Sequence, residues 1–321
     1  MPNPRRPYRK QSRPHAQDSG HPRRSARSDG NSPTDRDPRH PRPPHHNRPN
    51  NRPTNRPTNA PRFVPRTPKG TTFVKPPLEP FTTTLWDYPS QHYLPGDRAS
   101  PSVQGDPNYA GATPSWIIWQ LLTRYTRLED RVLDPMCGSG TTLDVCSDLN
   151  RHGKGFDLVP YRPDILQADA RNLPLPDACC DFVFVDPPYS THINYSNHPD
   201  CIGKQNASGP DGGAEYYRAM TGVINEINRV LRPGRFMGLY VSDSFEPHAH
   251  HRGHGTFMPI GFELFSILRQ HFDPVDIIAV ARHNAKLKNH TYLENAARTK
   301  VFRRGFNYLF IMHKPVASSL R

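Results

Sequence analysis

The sequence predicts an α/β protein, with a doubly wound, mostly parallel sheet of seven strands that follows a disordered basic tail. Two observations support this prediction. Short apolar runs alternate with helical stretches from Arg131 to His313, which is typical of strands joined by crossover helices. By contrast, 19 of the 38 prolines and 18 of the 42 Lys and Arg residues lie within the first 80 positions.

The basic tail spans residues 1–80. It has almost no Leu, Ile or Val, so it cannot bury enough apolar surface to offset the entropy of an ordered chain. Its 18 basic side chains stand against 5 acidic ones, whereas positions 81–321 carry 24 of each sign. Such charge suits a salt-dependent tether to nucleic acid, and it equally suits a solubilising extension. Residues 81–321 are predicted to form one domain.

Neither a membrane span nor a secretory signal is expected, because no run of 18 apolar residues occurs. The protein is therefore expected to be cytoplasmic. Five cysteines without a CxxC pair predict reduced thiols and no zinc site. No metal is expected at a histidine group that Arg252 and Gly253 interrupt, namely His248, His250, His251 and His254. The sequence leaves the oligomeric state open.

The ordered elements are expected to begin near Phe81, where large aromatic side chains first become frequent. The first helix begins at Ser115, whose hydroxyl is predicted to cap it. Proline and glycine at 233–234 are expected to end a later helix. Strands are predicted at 131–135, 155–158, 164–168, 181–186, 235–242, 275–281 and 306–313, and further helices at 141–149, 215–231 and 260–271.

A glycine-rich loop separates the first strand of this pattern from the helix that follows it. It reads Asp-Pro-Met-Cys-Gly-Ser-Gly-Thr over positions 134–141. Gly138 and Gly140 remove side chains where a ligand must approach the backbone, and the helix N-terminus offers N–H groups to an anionic group. Leu143 stands where a dinucleotide fingerprint has its third glycine, which disfavours NAD.

Two aspartates follow the next two predicted strands. Asp157 lies at the end of one strand, where an acid can accept hydrogen bonds from ribose hydroxyls. Asp169 follows the other strand and is placed to receive an adenine amino group. Either acid alone fits a turn at a strand end equally well, and the preceding glycine loop favours the functional interpretation.

A second motif, Asp186-Pro187-Pro188-Tyr189, directly follows an apolar strand. The two prolines stiffen the turn and supply no N–H donors, so the loop can present the Asp186 carboxylate and a backbone carbonyl to an exocyclic NH₂ group. Tyr189 offers an aromatic face on which an unstacked base can lie. This arrangement indicates transfer to an amino nitrogen rather than a simple turn.

Together these motifs resemble the S-adenosylmethionine-dependent DNA methyltransferases that modify N6 of adenine or N4 of cytosine. The resemblance covers residues 86–315 and implies a Rossmann-like methyltransferase sheet. It further implies that Asp157 binds the cofactor ribose, that Asp169 binds its adenine, and that residues 186–189 bind the target amine. The remaining cofactor-binding residues that it implies are Asp134, Pro135, Cys137, Gly138, Gly140, Thr141 and, from the stretch Ala112–Trp116, Thr113 and Ser115.

Little of the chain remains for recognition of a target sequence. The candidate segments are 190–213 and 283–304. The second segment suits phosphate contact or, alternatively, a solvated linker. Its basic residues are Lys286, Lys288, Arg298, Lys300, Arg303 and Arg304.

The function favoured by the sequence is direct methyl transfer to an amino group of a DNA base, with adenine N6 preferred over cytosine N4 by the habit of the family. An RNA methyltransferase acting on guanine N2 or adenine N6 has the same motifs and an equally suitable tail. A catalytically inactive nucleic-acid-binding protein is a second alternative. C5-cytosine methylation is disfavoured, because the chain contains no Pro-Cys dipeptide to supply the nucleophile.

Overall fold

A computed structural model of the chain describes residues 76–94, 103–209, 211–246, 255–283, 294 and 301–316. Within these ranges helices and strands alternate as the sequence predicted. The strands are β1 (Leu85–Trp86), β2 (Arg131–Asp134), β3 (His152–Asp157), β4 (Ile165–Gln167), β5 (Cys180–Val185), β6 (Leu231–Val241), β7 (Ser244–Glu246), β8 (Thr256–Met258), β9 (Asp273–Ala281) and β10 (Phe306–His313). The helices are α1 (Ser115–Tyr125), α2 (Thr141–Asp148), α3 (Ala214–Val230) and α4 (Ile260–Leu268), with a short 3₁₀ helix at Ile202–Lys204.

Eight strands form the central sheet, in the order β1-β9-β10-β6-β5-β2-β3-β4. Within this sheet β10 runs antiparallel to both of its neighbours, and the other pairs are parallel. The predicted number of seven strands is wrong by one, because β1 pairs with β9 at the edge. A two-residue strand has no periodicity to detect, and its partner lies almost 200 residues away. Strands β7 and β8 form a separate antiparallel pair.

Both faces of the sheet are covered, which confirms the doubly wound fold. Alternate residues of β5 point to opposite sides, as the pleat of a strand requires. Phe182 and Phe184 pack with Trp116 of α1 and Val145 of α2. Val183 and Val185 lie in a second buried cluster with side chains of α3 and α4. The strand is buried along its whole length, as expected of a central parallel strand.

One local prediction is wrong. Ser115 does not cap α1, because its hydroxyl donates to the Gln104 side chain at 2.9 Å and lies 3.3 Å from the Gln91 carbonyl oxygen. The residue is fully buried, and tertiary partners take the hydroxyl. The predicted helix end before the proline and glycine at 233–234 is confirmed to within one residue: α3 ends at Val230, and Gly234 adopts a left-handed φ of 77° within β6.

A buried carboxylate stabilises the amino edge of the sheet, opposite the site described below. Asp181 of β5 is 3% exposed and accepts the backbone N–H of Arg131 at 2.9 Å. Its other oxygen lies 2.5 Å from a guanidinium nitrogen of Arg232 and 3.4 Å from one of Arg235. Because the charge is buried, these partners are needed to offset its desolvation.

The order of the strands determines where a ligand can bind. From β2 the chain moves outward through β3 and β4, and from β5 it moves the other way to β6. The crevice outside the carboxyl ends of β2 and β5 is therefore the switch point of the sheet, where open α/β folds bind ligands. Among the described residues, every helix is too short or too polar to span a bilayer.

Candidate active site

A cavity of about 240 Å³ lies at this switch point. It lies beside the loops that follow β2, β3, β4 and β5, and its lining includes five aspartates but, among the residues described, no Lys, Arg or His. The aspartates are Asp134, Asp157, Asp169, Asp186 and Asp200. An acidic cavity in a chain of net charge +13 disfavours phosphate-bearing ligands and favours a cationic one.

The glycines of the loop also make room for side chains of this protein, and Gly138 lines the cavity, so their predicted role beside a ligand stays a prediction. Gly138 and Gly140 adopt φ values of 50° and 84°, at which the backbone of a residue with a side chain would be strained. A Cβ atom at Gly140 would lie 2.6 Å from the guanidinium carbon of Arg162, and one at Gly138 would lie 3.1 Å from the Tyr109 ring. The loop therefore makes room for two side chains of this protein, and Tyr109 also lines the cavity.

Asp134 ends β2 and is 4% exposed. Its carboxylate accepts the Met136 N–H at 3.1 Å and the Thr142 hydroxyl at 2.5 Å. Burial raises the pKa of Asp134 to about 7, although both hydrogen bonds favour the charged form. A cation in the cavity would favour ionisation of this carboxyl, so its protonation state is sensitive to the ligand.

Asp157 and Asp169, the acids predicted to bind the ribose and the adenine of the cofactor, both line the cavity but have different hydrogen-bond partners. Asp157 accepts the backbone N–H groups of Gly138 at 2.9 Å and Val159 at 3.1 Å, which fixes it across the mouth of the glycine loop. Asp169 is held by the Arg171 guanidinium, with the shortest contact at 2.6 Å. Burial would raise the pKa of Asp169, but its hydrogen bonds with Arg171 lower it overall. Asp169 thus remains ionised with part of its accepting capacity already used.

Asp186 is held by two hydroxyl groups. The Thr113 hydroxyl donates to Oδ2 at 2.5 Å, and the Tyr189 hydroxyl donates to Oδ1 at 2.6 Å. Burial raises the pKa of Asp186 to about 7; the two hydrogen bonds oppose this shift, and the nearby charge of Asp134 adds to it. Each carboxylate oxygen retains a second acceptor position, so the group can still bind an amine.

The rest of the Asp-Pro-Pro-Tyr loop is anchored to the protein. The Pro188 carbonyl accepts the hydroxyl of the fully buried Tyr216 at 2.7 Å, so this acceptor is already engaged. The Tyr189 ring packs against the core cluster that contains α3, and Tyr189 is only partly buried. Neither Pro187 nor Tyr189 lines the cavity, whereas Asp186 and Pro188 do.

The segment 190–213, predicted to recognise the target, forms one wall of the same cavity. Tyr195, Asp200 and Cys201 line it, and the 3₁₀ helix begins immediately afterwards. Ser190 holds the start of this segment, at φ 62°, by accepting the Ala207 N–H at 3.0 Å. The segment therefore shapes the cavity in addition to any contact with a target.

Most of the predicted cofactor residues are brought together. The cavity is lined by Thr113, Asp134, Pro135, Cys137, Gly138, Thr141, Asp157 and Asp169. Ser115 and Gly140 do not line it. Lys286, Lys288, Arg298 and Lys300 lie outside the described residues, as do the four histidines considered for metal and nearly all of the tail. Arg303 and Arg304 line a second cavity.

Sequence reasoning missed the aromatic wall formed by Tyr109, Tyr161 and Tyr195. The rings of Tyr109 and Tyr161 meet edge to face at 5.1 Å, and Tyr161 donates to Asp106 at 2.5 Å. No periodic signal marks isolated tyrosines in loops, and only the fold brings these three positions together. In the described part of the chain no group of three or more His, Cys, Asp or Glu is placed to hold a metal ion.

Residues 33–167 match the model of a protein family. The family is described as DNA methylase. This match confirms the resemblance that the motifs indicated and S-adenosylmethionine as the expected cofactor, and it supports the coarse assignment as a methyltransferase of nucleic acid. The matched region contains the glycine loop and Asp157 and ends before the motif at 186–189.

Several solved structures are similar to the chain, all at low levels. TrmN from Thermus thermophilus is 18% identical over 64% of this chain and 50% of its own, with a TM-score of 0.41. The [4+2]-cyclase SpnF is 17% identical over 67% of this chain and 88% of its own, with a TM-score of 0.41. A second Thermus thermophilus protein, described as a DNA modification methylase and solved in complex with S-adenosyl-L-methionine, is 18% identical over 48% of this chain and 56% of its own, with a TM-score of 0.34.

This chain spans about half the length of the TrmN chain. All three TM-scores lie below 0.5, so nothing about the activity of this chain follows from them. A search of curated proteins finds no match.

The residues of the cavity fit S-adenosylmethionine. This cofactor carries a sulfonium and an ammonium group, for which the carboxylates of Asp134 and Asp186 are suitable partners. The carboxylate of the cofactor can accept hydrogen bonds from backbone N–H groups at the start of α2, where Ser139 and Thr141 also line the cavity. Apolar lining at Leu158 and Val159 suits an adenine ring beside Asp157.

Proposed function

We propose that this protein transfers the methyl group of S-adenosylmethionine to an exocyclic amino nitrogen of a DNA base, with adenine N6 preferred over cytosine N4. The observation that supports this most directly is the placement of Asp186 next to the glycine loop, on an acidic cavity whose described lining residues include no Lys, Arg or His. A cationic methyl donor and a neutral amine are the reactants that such electrostatics accommodates.

On the cofactor side, Asp157 would hold the ribose and Asp169 the adenine, as the resemblance implies. Asp134 would face the positive charge of the methionine part together with the residues of the glycine loop. When bound, the cofactor supplies an electrophilic methyl group on sulfur. Tyr109 and Tyr161, which meet at the cavity, would exclude water from this region.

On the target side, Asp186 would accept an N–H of the base and orient the nitrogen lone pair away from the ring. Thr113 and Tyr189 fix both oxygens of this carboxylate, so its free acceptor positions have defined directions. A backbone carbonyl of the same loop would be the second acceptor; the Pro188 carbonyl accepts one hydrogen bond from Tyr216 and keeps a second acceptor position.

Transfer forms a nitrogen–carbon bond as the sulfur–carbon bond breaks, and the nitrogen must then lose a proton. Asp186, with a pKa of about 7, is suited to receive this proton near neutral pH. Tyr189 would stack on the extruded base with the exposed part of its ring, in addition to holding Asp186. Adenine is preferred because aspartate at the first position of the motif favours it by the habit of the family.

The experiment is transfer of labelled methyl groups to unmethylated DNA, tRNA and rRNA, followed by nucleoside analysis. N6-methyladenine in DNA is expected, with loss of at least about 100-fold in rate for Asp186→Ala. Asp273→Ala is the matched control, because Asp273 is exposed, lies at the start of β9 and does not line the cavity. Robust transfer to RNA without transfer to DNA would reject the substrate. Binding of nucleic acid without affinity for the cofactor would indicate an inactive binding protein.

A further inference from the structure

A second cavity, of about 200 Å³, opens at the same edge of the sheet as the first. Because β10 is antiparallel to β6, the start of β10 lies beside the carboxyl end of β6. The loop before β10, strand β8 and the first turn of α4 complete the walls. The lining residues are Asp243, Phe257, Phe262, Arg303, Arg304, Gly305, Phe306 and Tyr308.

The aromatic rings of this cavity are unusually exposed. Phe257, Phe262 and Phe306 are 46%, 59% and 42% exposed, respectively. Two of them are held by Tyr308, whose ring centroid lies 5.7 Å from that of Phe262 and 5.1 Å from that of Phe306. Exposed rings clustered in a concave site indicate a partner with a flat apolar face.

The free polar capacity of the cavity is cationic. The Arg304 guanidinium carbon lies 4.7 Å from the centroid of the Phe257 ring. Its Nε is buried and has no hydrogen-bond partner among the described residues. Among the described lining residues the one carboxylate, Asp243, already accepts the Gly261 N–H at 3.0 Å and the Tyr308 hydroxyl at 3.1 Å. A ligand that combines an aromatic ring with a negative group matches this set.

We infer that this cavity binds an unstacked nucleobase that flanks the target base in the same strand, with an adjacent phosphate on Arg304. The inference rests on the proposed function. Strands β5, β6 and β10 are neighbours, so the end of β5, which carries Asp186, and the start of β10 are two strand spacings apart, about 10 Å or roughly three nucleotides of a stacked strand. A base held there would fix the strand while the target base reaches Asp186.

The test measures stacking in the full-length protein. A short oligothymidylate with one 2-aminopurine base is titrated at about 0.3 M salt, where contacts of the tail with phosphates are weakened. The variants are Phe257→Leu and Phe262→Leu, which keep an apolar side chain but remove the ring. Phe302→Leu is the matched control, since Phe302 is 87% exposed and does not line the cavity.

We expect quenching of 2-aminopurine by the wild-type protein, with about fivefold or greater loss of affinity for Phe257→Leu and Phe262→Leu and none for Phe302→Leu. Arg304→Gln should reduce the salt dependence of binding by about one phosphate contact. The inference would be overturned if all three Leu variants bound the oligonucleotide with equal affinity while circular dichroism showed that each of them is folded. An acidic peptide that competes with the same dependence on Phe257 would overturn it as well.

Binding is scored separately from methyl transfer. If transfer to DNA fails and the Phe257 effect persists, the stacking site stands and the proposed reaction does not. If transfer to DNA is normal and the Phe257 effect is absent, the reaction stands and the stacking site does not.

Discussion

Replacement of Thr113 by valine tests whether the hydroxyl that holds Asp186 determines its protonation. Valine has nearly the same shape but cannot donate to Oδ2, which the hydroxyl reaches at 2.5 Å. Loss of a hydrogen bond to a charged acceptor costs about 1.5–3 kcal/mol of stabilisation of the carboxylate, or about 1–2 pH units. This hydrogen bond lowers the pKa of Asp186, so its removal raises that pKa above 7.

The expected result is a pH profile of kcat/KM that moves to higher pH. In the wild type the rate should rise to half its maximum near pH 7, where Asp186 ionises. In Thr113→Val the rate at pH 7 should fall by about 5- to 50-fold and recover to within about twofold at pH 9. Because Asp186 is only partly buried, the fall in rate at pH 7 should lie nearer to about 5-fold than to about 50-fold.

The assay is initial-rate methyl transfer at saturating cofactor between pH 6 and 9, with Thr113→Ser as the control that keeps the hydroxyl. Thr113→Ser should retain the wild-type midpoint. A uniform loss of rate at every pH for Thr113→Val would show that Thr113 acts only by packing. A midpoint shared by the wild type and the valine variant would refute the argument about ionisation.

Three further predictions follow from the same geometry. Gly140→Ala should weaken cofactor binding at least about tenfold in calorimetry, because Arg162 occupies the space of the new Cβ; Gly212→Ala, at φ 71° with no atom within 4 Å, should not. Cofactor affinity of the wild type should fall as the pH drops below about 7, where Asp134 becomes protonated, and Asp134→Asn should flatten this dependence. Asp181→Ala should lower the free energy of unfolding in urea by about 1–3 kcal/mol without a change in cofactor affinity, since three guanidinium groups lose their buried partner. An unchanged midpoint of urea unfolding would show that Asp181 and its arginine partners contribute nothing to stability.

The sequence predicted the fold well where patterns are local and repeated. Strand β10 has the predicted bounds, and the bounds of α2 and α3 differ from the predicted ones by one residue at most. Apolar runs bounded by glycine and proline report burial directly, because a parallel strand is buried on both faces. Strand β1 and the role of Ser115 could not be predicted, since each depends on a partner distant in sequence or on a buried side chain elsewhere.

For the site, the sequence by itself determined which chemical groups are present. Aspartates end β2 and β3 and come shortly after β4 and β5, and a turn of two prolines and a tyrosine follows β5, because these are local features of strand ends. Only the tertiary structure decided that Thr113 and Tyr189 hold Asp186, that Arg162 fills the space above Gly140, and that no cationic side chain lines the described part of the cavity. These contacts join segments far apart in the chain, and the free energy of each depends on burial, which the fold alone establishes.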